Sequence, residues 1–210
     1  MQVLLAGATG AIGRPLIRAL TANGHTVSAI VRNPNANPLV RELGATPVIA
    51  DVLDREALLR AVDGLRADAV IHQATALRDA KVARRIPADD PTGLLRTVGT
   101  ANLLEAASVV GAGRFVAQSL ILGYGYHDHG DRLITERDRF GVYDGGVADE
   151  VVRSHRTPRP IRLPAWMIRL AVPYIGALMS DTSMRISSRS ANDELGWSPR
   201  YSSVSAGLAA

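Results

Sequence analysis

The sequence contains no cysteine and a single lysine, Lys81, among its 210 residues. Without cysteine the chain has no disulfide, no thiolate nucleophile and no zinc–thiolate site. Aromatic residues make up only 4% of the chain, and no apolar run reaches the roughly 20 residues that a membrane-spanning helix needs. We therefore expect a cytoplasmic protein with no metal site and no membrane partner.

The basic residues give a formal net charge of +4, and arginine accounts for all but one of the 24. A nucleic-acid-binding surface would concentrate such charge on one face or stretch and would add stacking aromatics. Here the arginines are scattered, apart from residues 153–162, and aromatics are few. We therefore expect no nucleic-acid partner.

The N-terminal stretch predicts a strand, a tight glycine turn and a helix. The apolar run MQVLLA is followed directly by GATGAIG and then by residues of helical period that begin at Ile12. Gly7 permits a sharp turn, Gly10 lets the backbone approach a pyrophosphate without a Cβ, and Gly13 lets the helix pack closely on the strand. The free N–H groups of the new helix would face the phosphates. We predict a dinucleotide site here, with a purely structural turn as the alternative.

Further strands and helices alternate along the next hundred residues. Short runs rich in β-branched and apolar residues predict strands at 25–31, 46–50, 68–72 and 114–119. Helical patterns lie between them at 38–43, 54–62 and 91–110. This alternation predicts a parallel sheet with right-handed crossovers. The fold class is therefore α/β, with a doubly wound, Rossmann-type NAD(P)-binding sheet.

The chemistry at the end of the second strand favours NADP over NAD. An NAD site usually has an acidic side chain there for the ribose 2′-hydroxyl. Residues 28–41 include no aspartate or glutamate. Arg32 occupies that place, and Arg14 follows the last glycine of the turn. A guanidinium group offers a planar fork of donors for a 2′-phosphate. NAD, with two ordinary surface arginines, is the alternative.

Several motifs in order resemble the short-chain dehydrogenase/reductase superfamily, most closely its extended NAD-dependent epimerase/dehydratase branch. They are GATGAIG, Arg32, Asp51-Val52, VIHQATA, GTANLLEAA and RFVAQS, with the tail segment ANDELGWSPRYSS. The resemblance implies hydride transfer on a small carbonyl or sugar-like substrate. It also implies a homo-oligomer, because the helix at 91–110 is a face on which this family dimerises.

The resemblance implies a set of cofactor-binding residues around the predicted crevice. Asp51 would contact the adenine edge, with a turn cap as the alternative, and the backbone at Ala74 and Thr75 would pass along the cofactor, with a plain loop as the alternative. The full set is Gly7, Thr9, Gly10, Ala11, Ile12, Gly13, Arg14, Arg32, Asp51, Val52, Ala74 and Thr75.

The sequence departs from the family at its catalytic pair, a Tyr followed four residues later by a Lys. The only lysine, Lys81, is preceded at that spacing by Leu77, so the pair is absent. Ser119, at the end of the fifth strand, matches the family's substrate-binding Ser or Thr. Catalytic candidates are therefore Ser119 with Tyr124 or Tyr126 as proton carrier; His127 and His129 lie beside them. The alternative is a polar loop.

These motifs divide the chain into three parts. Residues 1–122 form the dinucleotide-binding domain, residues 123–160 an irregular linker that holds at most an edge strand near 142–146, and residues 161–210 a helical remnant of a substrate domain. The apolar segment 166–179 would close over the core or a second subunit. Because the Tyr-Lys pair is absent, a non-catalytic NAD(P)-binding sensor, a partner-binding module and a shortened inactive descendant remain alternatives to an enzyme with a small-molecule substrate.

Overall fold

The computed structural model describes residues 1–77, 90–118, 124, 128–135, 137–138, 183–187, 189, 192–193 and 198. These divide between two compact units, one formed by the described residues up to 118 and one by those from 124 onward. Some predicted features lie outside the described residues: Ser119, Tyr126, His127, Lys81, the edge strand near 142–146 and the segment 166–179.

The first unit is built on a parallel sheet of five strands in the order β3-β2-β1-β4-β5. The strands are β1 (Gln2–Ala6), β2 (Thr26–Val31), β3 (Thr46–Ile49), β4 (Ala69–His72) and β5 (Arg114–Ala117). All four pairings are parallel. The strand order reverses at β1, so β1 and β4 flank the point where α/β proteins of this type bind ligands. The predicted fold class is confirmed.

Helices cross between consecutive strands on both faces of this sheet. They are α1 (Gly13–Ala22), α2 (Asn37–Glu42), preceded by a 3-10 turn at Pro34–Ala36, α3 (Arg55–Val62), α4 (Pro91–Leu94) and α5 (Thr100–Val109). Asp54 caps α3, because its carboxylate accepts a hydrogen bond from the Ala57 N–H at 2.9 Å. The helix predicted at 91–110 is interrupted by a π-helical turn at Leu95–Gly99, which joins α4 to α5.

The sheet separates two apolar layers. Successive side chains on a strand point to opposite faces, so Leu4 packs with Leu58 and Leu103 of α3 and α5. Leu5 packs on the other face with Ile17 of α1 and Val40 of α2. All of these side chains are fully buried, and burying each contributes roughly 1.5–3 kcal/mol to the hydrophobic effect. The near-continuous apolar runs of β1 and β4 are typical of strands covered on both sides.

The second unit contains a parallel pair of strands that the sequence did not predict. Strand β6 (Asp128–Ile134) pairs with β7 (Ser183–Ile186), and their register shifts between Asp128 and Leu133. We expected an irregular linker at the first and a helical segment at the second. The run DHGDRLI gives little strand signal because its polar residues and Gly130, at φ +61°, mask the fully buried Ile134.

A polar turn follows β6 in this unit. The Asp138 carboxylate accepts hydrogen bonds from the Thr135 N–H at 2.7 Å and from the Arg132 guanidinium. The Thr135 N–H and then Arg132 hold the pKa of Asp138 below its ordinary value. The arrangement is a local turn, since Thr135 and Asp138 are only three residues apart.

The close packing of α1 on the glycine turn generates a stability prediction. A Cβ on Gly13 would lie 2.1 Å from the Gly7 carbonyl oxygen and 2.7 Å from that of Ala8. Both contacts are with backbone, so Gly13→Ala should lower the free energy of unfolding by about 3 kcal/mol or more. Gly113→Ala is the matched control, because a Cβ there meets nothing within 4 Å, and it should be neutral within about 0.5 kcal/mol. Equal denaturant midpoints for the two variants would contradict this packing.

Candidate cofactor-binding site

The glycine turn after β1 lies directly against the loop after β4. Gly7 has φ +89°, and a Cβ there would lie 2.4 Å from the Gln73 carbonyl carbon and 2.6 Å from the Ala74 nitrogen. A residue with a side chain at Gly7 would therefore separate the two segments. Glycine at this position brings the ends of β1 and β4 together at the crevice.

Gly10 differs from the other two glycines of the turn. A Cβ on Gly10 would meet only the Gly7 carbonyl oxygen, at 3.3 Å, so a larger side chain there would project away from the packed turn. Thr9 and Gly10 are half-buried, and Ala11 and Ile12 are exposed. The absence of a Cβ at Gly10 thus leaves space above the turn, as an approaching pyrophosphate requires.

Backbone donors are available at the start of α1. Within the described part of the chain, the N–H groups of Ala11 and Ile12 donate to no backbone carbonyl. Ile12 precedes the ten-residue helix α1, and no acidic side chain lies in the first turn. Free N–H groups and the positive end of the helix dipole favour an anion at this point.

The two arginines predicted to select the cofactor have different environments. The Arg14 Nε donates a hydrogen bond to the Thr9 carbonyl at 2.9 Å, so this side chain braces the glycine turn. Arg32 directly follows β2 and is exposed, with no hydrogen bond or ion pair to any described residue. Its charge is therefore available to a ligand at the end of β2, whereas Arg14 is already partly engaged.

Asp51 caps its own turn, which is the alternative to an adenine contact that the sequence allows. Its Oδ1 accepts a hydrogen bond from the Leu53 N–H at 2.9 Å, which makes it the cap of its own turn. Its Oδ2 accepts no hydrogen bond from the described residues. The turn fixes the carboxylate at the carboxyl end of β3, the edge of an open α/β sheet at which ligands bind.

Asn102 on α5 holds the neighbouring backbone, and sequence reasoning did not single it out. Its Nδ2 donates to the Val52 carbonyl at 2.8 Å, and the residue is buried. Gly99 lies beside the same loop, since a Cβ there would be 3.4 Å from the Val52 Cγ2. Asn102 and Gly99 both belong to the GTANLLEAA motif, so this motif positions the Asp51–Val52 turn.

His72, the last residue of β4, is a second missed residue. Its Nε2 lies 3.0 Å from the Leu95 carbonyl oxygen, and its Nδ1 lies 3.3 Å from the Ala74 nitrogen, whose N–H donates to it. These contacts fit a neutral ring with the proton on Nε2. Burial lowers the pKa of His72 despite the opposing effect of the Leu95 carbonyl. The ring is therefore neutral at pH 7, and its contribution to stability declines below about pH 6.5, where the unfolded state protonates first.

Thr92 completes the support of the loop after β4. Its hydroxyl oxygen accepts a hydrogen bond from the Ala76 N–H at 3.2 Å, and the residue is 2% exposed. His72 and Thr92 thus hold the N–H groups on either side of Thr75. The π-helical turn supplies the Leu95 carbonyl to His72 because that stretch departs from regular α-helical bonding. Both contacts satisfy buried polar groups that would otherwise destabilise the core.

The predicted catalytic residues are not brought together by the described part of the structure. Tyr124 is half-buried in the second unit, while Ser119 and Tyr126 lie outside the described residues. Among the described residues, no cluster of three or more histidine, aspartate or glutamate side chains has a geometry suited to a metal ion. None of the helices in those same ranges combines the length and apolar character needed to cross a membrane.

The described residues place hydrogen-bonding and charged groups at the carboxyl ends of neighbouring strands. The glycine turn offers N–H donors for a pyrophosphate, Arg32 lies at the end of β2, and Asp51 lies at the end of β3. The loop after β4 completes the edge at Ala74 and Thr75, and its backbone is fixed from the core side. These residues fit an NAD(P) molecule bound across the carboxyl ends of the strands.

Several known proteins are similar to this chain in sequence or in structure. The chain is 50% identical over 126 residues to a Streptomyces 3-diazoavenalumate denitrifying reductase, covering 57% of this chain and 38% of that protein. A short-chain dehydrogenase/reductase superfamily protein from Agrobacterium tumefaciens with bound NAD matches with a TM-score of 0.51 and 28% identity, over 67% of this chain and 39% of that one. A UDP-glucose-4-epimerase from Stenotrophomonas maltophila with bound NAD matches with a TM-score of 0.54 and 26% identity, over 67% and 42%.

The chain therefore spans about two fifths of the length of each of these relatives. A family model described as NAD(P)H-binding matches residues 7–157, which include the glycine turn, Arg32, Asp51 and the loop after β4. With this match and that geometry, the chain belongs to the NAD(P)H-binding family, among the short-chain dehydrogenase/reductase and NAD-dependent epimerase/dehydratase proteins.

Proposed function

We propose that this protein is an NADPH-dependent reductase that transfers hydride to a small organic acceptor. The observation that carries the proposal is the glycine turn at the switch point between β1 and β4, where Gly7 and Gly13 allow close packing and Gly10 leaves space. When bound there, the reduced nicotinamide would supply the hydride. The chain's own part is to bind and orient the cofactor through the turn, Arg32 and the loop after β4.

The preference for NADPH rests on charge at the end of β2. Arg32 is exposed and has no partner among the described residues, and the segment from Ser28 to Arg41 carries no acidic side chain for a 2′-hydroxyl. A guanidinium group forms charge-assisted bonds with a phosphate and gains little from a neutral hydroxyl. NADH remains the alternative cofactor for the same crevice.

The acceptor follows from the missing Tyr-Lys pair. Reduction of a carbonyl needs a proton on its oxygen as well as a hydride on its carbon, and a positioned acid contributes about 10²–10⁴-fold to such steps. A diazonium carbon that accepts a hydride releases dinitrogen and needs no proton donor. The named relative is a reductase of a diazo compound, so we include diazo compounds, alongside small carbonyl and sugar-like molecules, as the acceptors to test.

We also propose that the protein is a cytoplasmic homo-oligomer. The sequence contains no cysteine, so the protein has no disulfide that would require an oxidising compartment. On the long helix, Leu95 and Leu103 are buried, whereas Val98 is 43% and Leu104 49% exposed. Part of the apolar surface of this helical stretch is therefore exposed and available to a second subunit.

Cofactor binding is tested by Gly10→Val. The added side chain should fill the space for the pyrophosphate and abolish NADPH binding, measured by calorimetric titration. Thermal melting should show that the variant remains folded, because a Cβ at this position meets only one backbone atom, at 3.3 Å. A folded Gly10→Val protein that binds NADPH as tightly as the parent would place the cofactor elsewhere.

Cofactor choice is tested by Arg32→Ala. The variant should lose about 1.5–3 kcal/mol of NADPH binding free energy, the contribution of one hydrogen bond to a charged group. NADH binding should change little, since NADH lacks the 2′-phosphate. Arg41→Ala, which removes an exposed arginine from α2, serves as the control for net charge. Equal losses for NADPH and NADH would assign Arg32 to the general surface.

Turnover is tested by following NADPH oxidation with two classes of acceptor. We expect little or no reduction of simple aldehydes and ketones, and measurable dinitrogen release with an aryl diazonium probe. Gly10→Val is the control for reduction outside the site. Robust carbonyl turnover that survives Tyr124→Phe and Tyr126→Phe would show that another group supplies the proton.

The same assay separates the enzyme from a non-catalytic protein. Tight NADPH binding with no turnover of either acceptor class would favour a sensor or partner-binding module, or an inactive descendant of an enzyme. Leu77 stands four residues before the only lysine, Lys81, so the Tyr-Lys pair is absent. This absence is the observation that favours a non-catalytic protein as the second candidate.

A further inference from the structure

We propose that Gln73 binds the nicotinamide half of the cofactor through its side-chain amide, an inference that rests on the proposed cofactor site. Gln73 follows the last residue of β4, and its N–H donates to the Ala6 carbonyl at 2.9 Å. Its backbone also lies where a Cβ on Gly7 would have to be. The residue is therefore fixed at the switch point between β1 and β4.

The side-chain oxygen of Gln73 is buried and has no hydrogen-bond partner in the part of the chain that the structure describes. Buried polar atoms are nearly always paired, so an orphan at a crevice needs an explanation. His72 and Thr92 show that the surrounding polar groups are satisfied from the core. The unpaired side-chain oxygen of Gln73 contrasts with them, and it can accept a hydrogen bond from a ligand.

The position on the sheet identifies which half of the ligand supplies that donor. Arg32 lies at the end of β2, on one side of β1, where the adenosine phosphate would bind. The glycine turn after β1 would hold the pyrophosphate, and β4 lies on the other side of β1. A dinucleotide that crosses this edge places its nicotinamide nucleoside at the β4 side. Its ribose hydroxyls and its carboxamide N–H are the available donors.

The face of the sheet agrees with this assignment. His72 directs its ring to Leu95 in the layer of α4 and α5, and Ile71 packs in the opposite layer with α1. Because side chains alternate along an extended chain, Gln73 belongs to the α1 side, the same side as the helix that begins at the glycine turn. The amide and the predicted pyrophosphate site therefore share one face.

The test compares Gln73→Leu with the parent protein in calorimetric titrations of NADPH and of adenosine 2′,5′-bisphosphate, which lacks the nicotinamide half. We expect roughly tenfold weaker NADPH binding, the loss of about one hydrogen bond, and unchanged binding of the bisphosphate. Without cofactor, the melting temperature should be equal to or higher than that of the parent, because an unpaired buried acceptor has been removed.

Two controls keep the outcome clear. Gln2→Leu makes the same exchange at the exposed first residue of β1 and should alter neither affinity. Gln73→Met, with an unbranched side chain of similar length, replaces the leucine variant if that one folds poorly. A third ligand, the 2′-phosphate of ADP-ribose, retains the second ribose but lacks nicotinamide, so a tenfold loss with it assigns the ribose as donor, and none assigns the carboxamide.

Other results would overturn the proposal. Unchanged NADPH affinity in both Gln73 variants would leave the amide without a ligand role. Equal losses for NADPH and the bisphosphate, with a lower melting temperature, would make Gln73 a structural residue. If the parent protein bound neither ligand, the cofactor site itself would be wrong, a result distinct from a selective loss at Gln73.

Discussion

The contact between the glycine turn and the backbone after β4 is the constraint on which the rest of the site depends. A single Cβ at Gly7 would come within 2.6 Å of three backbone atoms of Gln73 and Ala74, and backbone atoms in a sheet cannot move aside without breaking its ladder. Gly13 imposes the same restriction between α1 and the turn. Only with glycine at both places do the ends of β1 and β4 meet, and only then does the helix present its free N–H groups at their junction. Gly10 has few such contacts, which is why its glycine is better explained by a ligand than by packing.

A second group of interactions supports the loops of the crevice from the core side. Asn102 bonds the Val52 carbonyl, His72 bonds the Ala74 N–H, and Thr92 bonds the Ala76 N–H, so the stretch from α4 to α5 holds two different loops. All three side chains are buried, and a buried partner left unpaired costs about 1–3 kcal/mol. This gives the loops a defined conformation before any ligand arrives. Preorganisation of this kind increases affinity because less conformational freedom is lost on binding. The π-helical turn at Leu95–Gly99 contributes to the same set of hydrogen bonds, since it brings the Leu95 carbonyl to His72.

The sequence predicts the parallel sheet and the cofactor turn because their signals are local. Apolar runs and the spacing of Gly7, Gly10 and Gly13 each depend on neighbours a few residues away. The supporting bonds span larger separations: His72 and Leu95 are 23 residues apart, and Asn102 and Val52 are 50 apart. Neither hydrophobic periodicity nor a short motif predicts which distant residues pair. Asn102 gives only a partial signal, as a polar residue on an otherwise apolar helix face. Strand β6 was missed for a different reason, because polar residues and a glycine in the left-handed region obscure its one fully buried side chain.

The cofactor-binding elements and the missing catalytic pair belong to different parts of the chain. Every described contact that shapes the crevice lies within residues 1–118, and the NAD(P)H-binding family model matches residues 7–157. The sequence lacks the Tyr-Lys pair and yet keeps the glycine turn, Arg32 and the loop after β4. Binding and proton transfer are therefore separable in this fold. The contacts that would bind and orient the cofactor therefore do not depend on which group supplies a proton, or on whether one is supplied at all.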